Sequence, residues 1–136
     1  MKNKFLILSL LLVGLSFTAC SKDDDGGSNA DPIIGTWKYS SSTEGGVAAP
    51  LNDCEKQTTW TFSANGTYSI KDYYDVGAGC ESDEYPGTWE NKGNDVYEII
   101  DSEETEPSNI NKIVFTNGNK TMTVQGDDYT EVYTRN

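Results

Sequence analysis

The chain carries 3 cysteines and 22 carboxylates but no histidine, and this inventory bounds the chemistry it can do. Without an imidazole there is no Ser-His-Asp arrangement and no histidine partner to activate a cysteine thiol. Cys20, Cys54 and Cys80 show no Cys-x-x-Cys spacing, so neither a zinc site nor another bound cofactor is expected. No phosphate-binding glycine motif is present. Carboxylate pairs could hydrolyse a glycosidic bond, but only when a fold sets them opposite one another across a cleft. Among so many acids chance pairs are common, and the chain reads as a non-enzyme. The clusters Asp83-Glu84, Asp101 with Glu103, Glu104 and Glu106, and Asp127-Asp128 could offer oxygen ligands to calcium. None has the spacing of a calcium-binding loop, and solvated loop charge is the better reading.

The first cysteine stands at a sharp change of solvent preference. Lys2 and Lys4 precede an apolar run from Phe5 to Val13, and small residues lead to Ala19. That is the layout of a secretory signal over residues 1–19, too short to be a membrane span. Leu15-Ser16-Phe17-Thr18-Ala19-Cys20 resembles the lipobox of bacterial lipoproteins, with Phe17 where that family prefers an aliphatic residue. The resemblance implies that Cys20 carries a diacylglycerol thioether and becomes the acylated N-terminus. Each buried methylene contributes about 0.8 kcal/mol, so several acyl chains anchor durably where one does not.

Residues 20–32 read as a flexible acidic tether, since almost nothing in them can pack. Lys22-Asp23-Asp24-Asp25 resembles the export signal of Bacteroidota lipoproteins, which implies the outer leaflet of the outer membrane and an exposed cell surface. Read as a plain solvated spacer, the run leaves the protein facing the periplasm. A net charge of −12 argues against nucleic acid and against electrostatic adhesion to anionic lipid. The expected partners are the membrane, through the lipid anchor, and a small apolar ligand; the expected state is a monomer.

In an exported chain Cys54 and Cys80 are most simply one disulfide. Closing a loop of about 26 residues, it would add about 3–4 kcal/mol in the chain-entropy account.

The elements that must position these groups are strands. Ile33 to Tyr39 comes first, then a long polar loop over residues 40–55. Gln57 to Phe62 alternates, with Trp60 and Phe62 on one face, and Asn65-Gly66 turns the chain into Thr67 to Tyr74. A second loop spans residues 75–86. Gly87-Thr88-Trp89-Glu90 and Val96 to Ile100 follow, then Ile110 to Phe115, Thr121 to Val124 and Tyr129 to Arg135. Eight strands at meander spacing, with one apolar face each and no helix after the signal, predict an all-β domain over residues 33–136. A small eight-stranded antiparallel up-and-down barrel removes exposed edges; an open β-sandwich is the alternative.

Gly35-Thr36-Trp37 at the start of the first strand and Tyr133-Thr134-Arg135 at the end of the last resemble lipocalins. There a Gly-x-Trp packs beneath an arginine that closes the barrel floor, which implies that role for Trp37 and Arg135. A cation over an indole contributes about 0.5–2 kcal/mol. Gly87-Thr88-Trp89 repeats the motif, and Trp60 to Tyr68 forms a Trp-Thr-Phe-x-x-x-Gly-Thr-Tyr hairpin. With the lipobox and tether, these features look like the lipocalin-like domain lipoproteins of Bacteroidota across residues 20–136. A binding module for a small hydrophobic ligand is then expected, with Trp60, Phe62, Tyr68, Trp89, Tyr97 and Met122 lining the pocket. The alternative is a barrel these side chains fill, whose loops at 40–55 and 75–86 contact a protein or a glycan. A barrel of eight strands is just wide enough for either.

Overall fold

Alternation is the rule that builds this molecule. In Thr59–Phe62 the two threonines are half-buried while Trp60 and Phe62 are buried, and Val96–Asp101 and Thr121–Gln125 repeat the pattern. The computed structural model describes residues 30–103 and 109–136. The signal segment, Cys20 and the tether through residue 29 lie outside the described residues, as do Glu104 and Glu106.

The strands are β1 (Gly35–Glu44), β2 (Val47–Ala49), β3 (Thr59–Phe62), β4 (Thr67–Asp75), β5 (Cys80–Gly93), β6 (Val96–Asp101), β7 (Asn109–Thr116), β8 (Thr121–Gln125) and β9 (Tyr129–Thr134). A 3-10 turn, Glu55–Gln57, precedes β3. Neighbouring strands pair antiparallel in the order β2-β1-β3-β4-β5-β6-β7-β8-β9, and β1 also pairs with β9. That last pairing closes an eight-stranded antiparallel barrel to which β2 adds one short extra strand. The open sandwich is thereby excluded.

β1 serves three partners along its length. Gly35–Lys38 pair with β3, Ser42–Glu44 pair with β2 on one edge, and the stretch from Lys38 to Glu44 pairs with β9 on the other. A bulge between Tyr39 and Ser41 lets the strand bend around the barrel.

Two segments expected to be loops contain strand instead. The first, residues 40–55, contains the end of β1 and all of β2. The second, residues 75–86, is mostly β5, whose Cys80–Pro86 pairs with Ser69–Asp75 of β4. Strand pairing needs only backbone groups, so the polar Glu81-Ser82-Asp83-Glu84 joins the ladder although it buries no apolar side chain. The folded unit also begins earlier than Ile33. The Asp31 carboxylate accepts bonds from the Ile33 amide at 3.0 Å, the Tyr97 hydroxyl at 2.9 Å and the Asn91 amide at 2.6 Å.

The meander gives the barrel two ends. The chain enters at the floor, beside the β3–β4, β5–β6 and β7–β8 turns. The rim carries the β1–β2, β4–β5 and β8–β9 hairpins.

Candidate ligand-binding rim

The floor is built on Trp37, which is fully buried and donates its indole N–H to the Ile33 carbonyl at 2.7 Å. The Arg135 guanidinium lies 4.2 Å from the Trp37 ring centroid. Gly35 at φ +130° makes room for it: a β-carbon there would stand 3.0 Å from an Arg135 nitrogen.

Above the floor the interior is filled with rings. Trp60, Phe62, Tyr68, Tyr97 and Met122 are buried, and Trp89 packs half-buried against them. Trp60 meets Phe62 at 4.7 Å and Tyr68 edge-on at 5.7 Å between centroids. Phe62 meets Trp89 edge-on at 6.1 Å, and Trp89 tilts against Tyr97 at 6.3 Å. The six side chains read from sequence as pocket lining are therefore brought together as packing. Gly87 completes this layer, because a β-carbon there would collide with the Tyr68 ring and the Ile100 carbonyl. The buried Trp60 indole N–H has no hydrogen-bond partner, a cost the layer carries.

Polar groups replace the rings near the rim while keeping the inward parity of their strands. Tyr39 and Tyr133, opposite one another across the β1–β9 seam, stack with centroids 5.0 Å apart. Both hydroxyls donate to Glu131, from Tyr133 at 2.9 Å and from Tyr39 at 3.4 Å. Thr58 donates to Asp72 at 2.9 Å, and Tyr129 donates to Asn111 at 3.2 Å. Burial raises the Tyr39, Tyr129 and Tyr133 hydroxyls above the usual tyrosine value, and the Glu131 charge beside them adds to it.

A groove of about 240 Å³ opens at this corner, between β1, β2 and β9. Tyr39, Tyr129 and Ala49 give it apolar surface; Ser42, Glu44, Asp128 and Glu131 give it hydrogen-bond acceptors. Among the described residues no lysine or arginine lines it. The Tyr129 ring lies against Gly126, where a β-carbon would displace it. Sequence reading marks Asp128 as a possible calcium ligand and residues 40–55 as a contact loop, but it does not join them with Tyr39, Tyr129 and Glu131 into one groove. One signal could have found Glu131, an acid at the inward parity of a strand between Tyr129 and Tyr133.

Cys54 and Cys80 are bonded, Cα to Cα 5.4 Å. The bond fastens the segment leading into β3 to the β4–β5 hairpin, and the Gln57 amide donates to Cys80 Sγ at 3.3 Å. Large apolar side chains also stand exposed: Val47 and Tyr129 beside the groove, Tyr74, Val76 and Tyr85 on the β4–β5 hairpin, and Ile100 and Ile110 on β6 and β7. Among the described residues no histidine, cysteine or carboxylate group of three or more could hold a metal ion.

A closed eight-stranded meander, plugged by a Gly-x-Trp under a terminal arginine, defines a small barrel of the lipocalin class. Residues 33–124 match the family described as "Lipocalin-like domain", and the chain belongs to that family. A lipocalin-like protein from Bacteroides uniformis is similar in structure, with a TM-score of 0.61 over 78% of this chain and 100% of that chain. The two are 12% identical, so the likeness is one of fold. No curated protein matches the chain. The lipocalin-like barrel is typically a small-ligand-binding, non-enzymatic fold.

Proposed function

We propose that the protein is a lipid-anchored binding module of the outer membrane that takes a small ligand at its rim rather than in its interior. The observation that carries the reading is the contrast between a ring-filled barrel and the groove of about 240 Å³ above it. The tyrosine faces suit a hydrophobic or aromatic body on the ligand. Glu44, Asp128 and Glu131, with no basic residue among the described ones beside them, suit an amine or hydroxyl donor attached to it. An amphipathic ligand narrows the small hydrophobic one expected from sequence. Attachment through Cys20 fits this use. The chain enters at the floor, so a tether attached there leaves the rim unobstructed.

Native mass spectrometry of the mature domain, produced without the lipid, should detect a co-purified small molecule. Titration with amphipathic aromatic amines should change tryptophan fluorescence, and Tyr129→Ala or Glu131→Gln should weaken binding about tenfold, near 1.4 kcal/mol. No bound species and no response to such amines would sink the ligand reading. For the anchor, Cys20→Ala should leave the protein unprocessed and unacylated. Normal processing and membrane retention of that variant would refute lipidation.

A further inference from the structure

The β4–β5 hairpin outgrows the barrel. β3 stops pairing with β4 at Lys71, and β6 stops pairing with β5 at Gly87. Beyond these points β4 and β5 continue as a two-stranded ribbon to Asp75 and Cys80, fastened at its tip by the Cys54–Cys80 bond. One face of the ribbon continues the barrel's interior face. Its cross-strand pairs are Ile70 with Tyr85, Asp72 with Asp83, and Tyr74 with Glu81. Tyr74 and Tyr85 are each 38% exposed there, and Val76 at the tip is 45% exposed.

The charge on this face has one sign. Asp83 stands near enough to the Tyr74 hydroxyl to raise its pKa. Asp83, Asp72, Glu103 and Asp101 all stand near enough to Tyr85 to raise that one too. Lys71 belongs to the opposite face, where it lies over the Tyr73 ring at 5.3 Å. Lys56 lies on the 3-10 turn and is paired with Asp53 at 3.0 Å. Two exposed phenol rings ringed by carboxylates complement a cationic partner that also has apolar surface.

We propose that this ribbon face docks an extended, basic segment of a partner protein. Arginine or lysine side chains would lie over Tyr74 and Tyr85, their methylene stems covering the rings, and pair with Asp83 and Asp72. A neutral glycan would leave the carboxylate excess without a counterpart, and an anionic lipid surface would be repelled by it. The disulfide holds the ribbon in place before the partner arrives, which lowers the ordering cost of binding. This surface shares no residue with the groove at the β1–β9 seam.

The test uses the oxidised mature domain and a fluorescent peptide alternating Arg with Leu, beside its Gln-for-Arg and Glu-for-Arg counterparts and a neutral oligosaccharide. The Arg peptide should bind, and NMR shifts should map to Tyr74, Val76, Asp83 and Tyr85. Tyr85→Ser and Asp83→Asn should each weaken it about tenfold; Asp127→Asn and Glu131→Gln, elsewhere on the rim, should leave it unchanged. The last variant separates failure of this surface from failure of the groove. Equal binding of the Gln peptide, equal loss in Asp127→Asn, no effect of Tyr85→Ser, or capture of the oligosaccharide instead would each overturn the proposal.

Discussion

Arg135 and Trp37, at opposite ends of the barrel strands in sequence, meet with the guanidinium 4.2 Å from the indole centroid. The same guanidinium donates to the Ile34 carbonyl at 2.8 Å and, through Nε, to the Asn119 carbonyl at 2.7 Å. One side chain thus ties the chain entry, the β7–β8 turn and the C-terminal end together. Arg135→Ala should cost about 2–4 kcal/mol, combining a cation–ring contact with two charged hydrogen bonds. Arg135→Lys keeps the charge but not the planar fork, and should recover about half of that loss. Urea denaturation of the three proteins checks this ordering.

Gly87 is the second fixed point of the interior. Any β-carbon there meets the Tyr68 ring and the Ile100 carbonyl, and the carbonyl belongs to backbone that cannot swing away. Gly87→Ala should therefore cost about 3 kcal/mol or more. Gly93 makes a useful contrast, since its φ is +85° but nothing lies within reach of an added β-carbon. Gly93→Ala should cost only about 1 kcal/mol, the strain of its left-handed backbone. Equal losses in the two variants would show that the Tyr68 layer is less tightly packed than described.

How much of this structure is legible in the sequence depends on the distance between the residues involved. Trp60 and Phe62 announce their strand because burial alternates within four neighbouring residues, and the Asn65-Gly66 turn is equally local. β5 is only half legible: Gly87-Thr88-Trp89 carries apolar signal, whereas Glu81-Ser82-Asp83-Glu84 carries none and looks like loop. Asp31 looks like tether because its partners, Tyr97 and Asn91, lie 66 and 60 residues away. The groove is hidden for the same reason. It exists only where β1 meets β9, and no local pattern records that Tyr39 faces Tyr133 or that Glu44 lies opposite Tyr129. Aromatics such as Trp60 and Tyr68 are legible as inward, but inward does not distinguish lining from filling.

The Cys54–Cys80 bond spans 26 residues and joins two segments that otherwise hold together by polar contacts. Replacing both cysteines with alanine should lower stability by about 3–4 kcal/mol in the chain-entropy account. The loss should be uneven. Amide exchange should accelerate most in Tyr73–Glu84 and residues 50–57, while the Trp37 and Trp60 layers stay protected. Uniform acceleration across the barrel would instead make the bond a global brace. Binding of the Arg peptide should weaken in the same variant, because the ribbon would no longer be fixed at its tip.

The tyrosines predict an alkaline limit. Tyr39, Tyr97 and Tyr133 are all raised above the ordinary value near 10, first by burial and then by acceptor carboxylates, Glu131 for Tyr39 and Tyr133 and Asp31 for Tyr97. At pH values above about 10 the unfolded chain loses these protons while the folded chain keeps them. The unfolded state then binds fewer protons, so stability falls as pH rises. Below about pH 9 both states keep them, and these groups give no pH dependence. Urea midpoints should therefore be flat on that side and decline from about pH 10 upward, with tyrosinate absorbance appearing together with unfolding. Tyr133→Phe should flatten the decline, yet at neutral pH it should cost about 1 kcal/mol, since Glu131 loses its closest donor. A midpoint that stays level well past about pH 10, or tyrosinate absorbance that rises fully before the fold is lost, would show that these hydroxyls titrate as exposed groups.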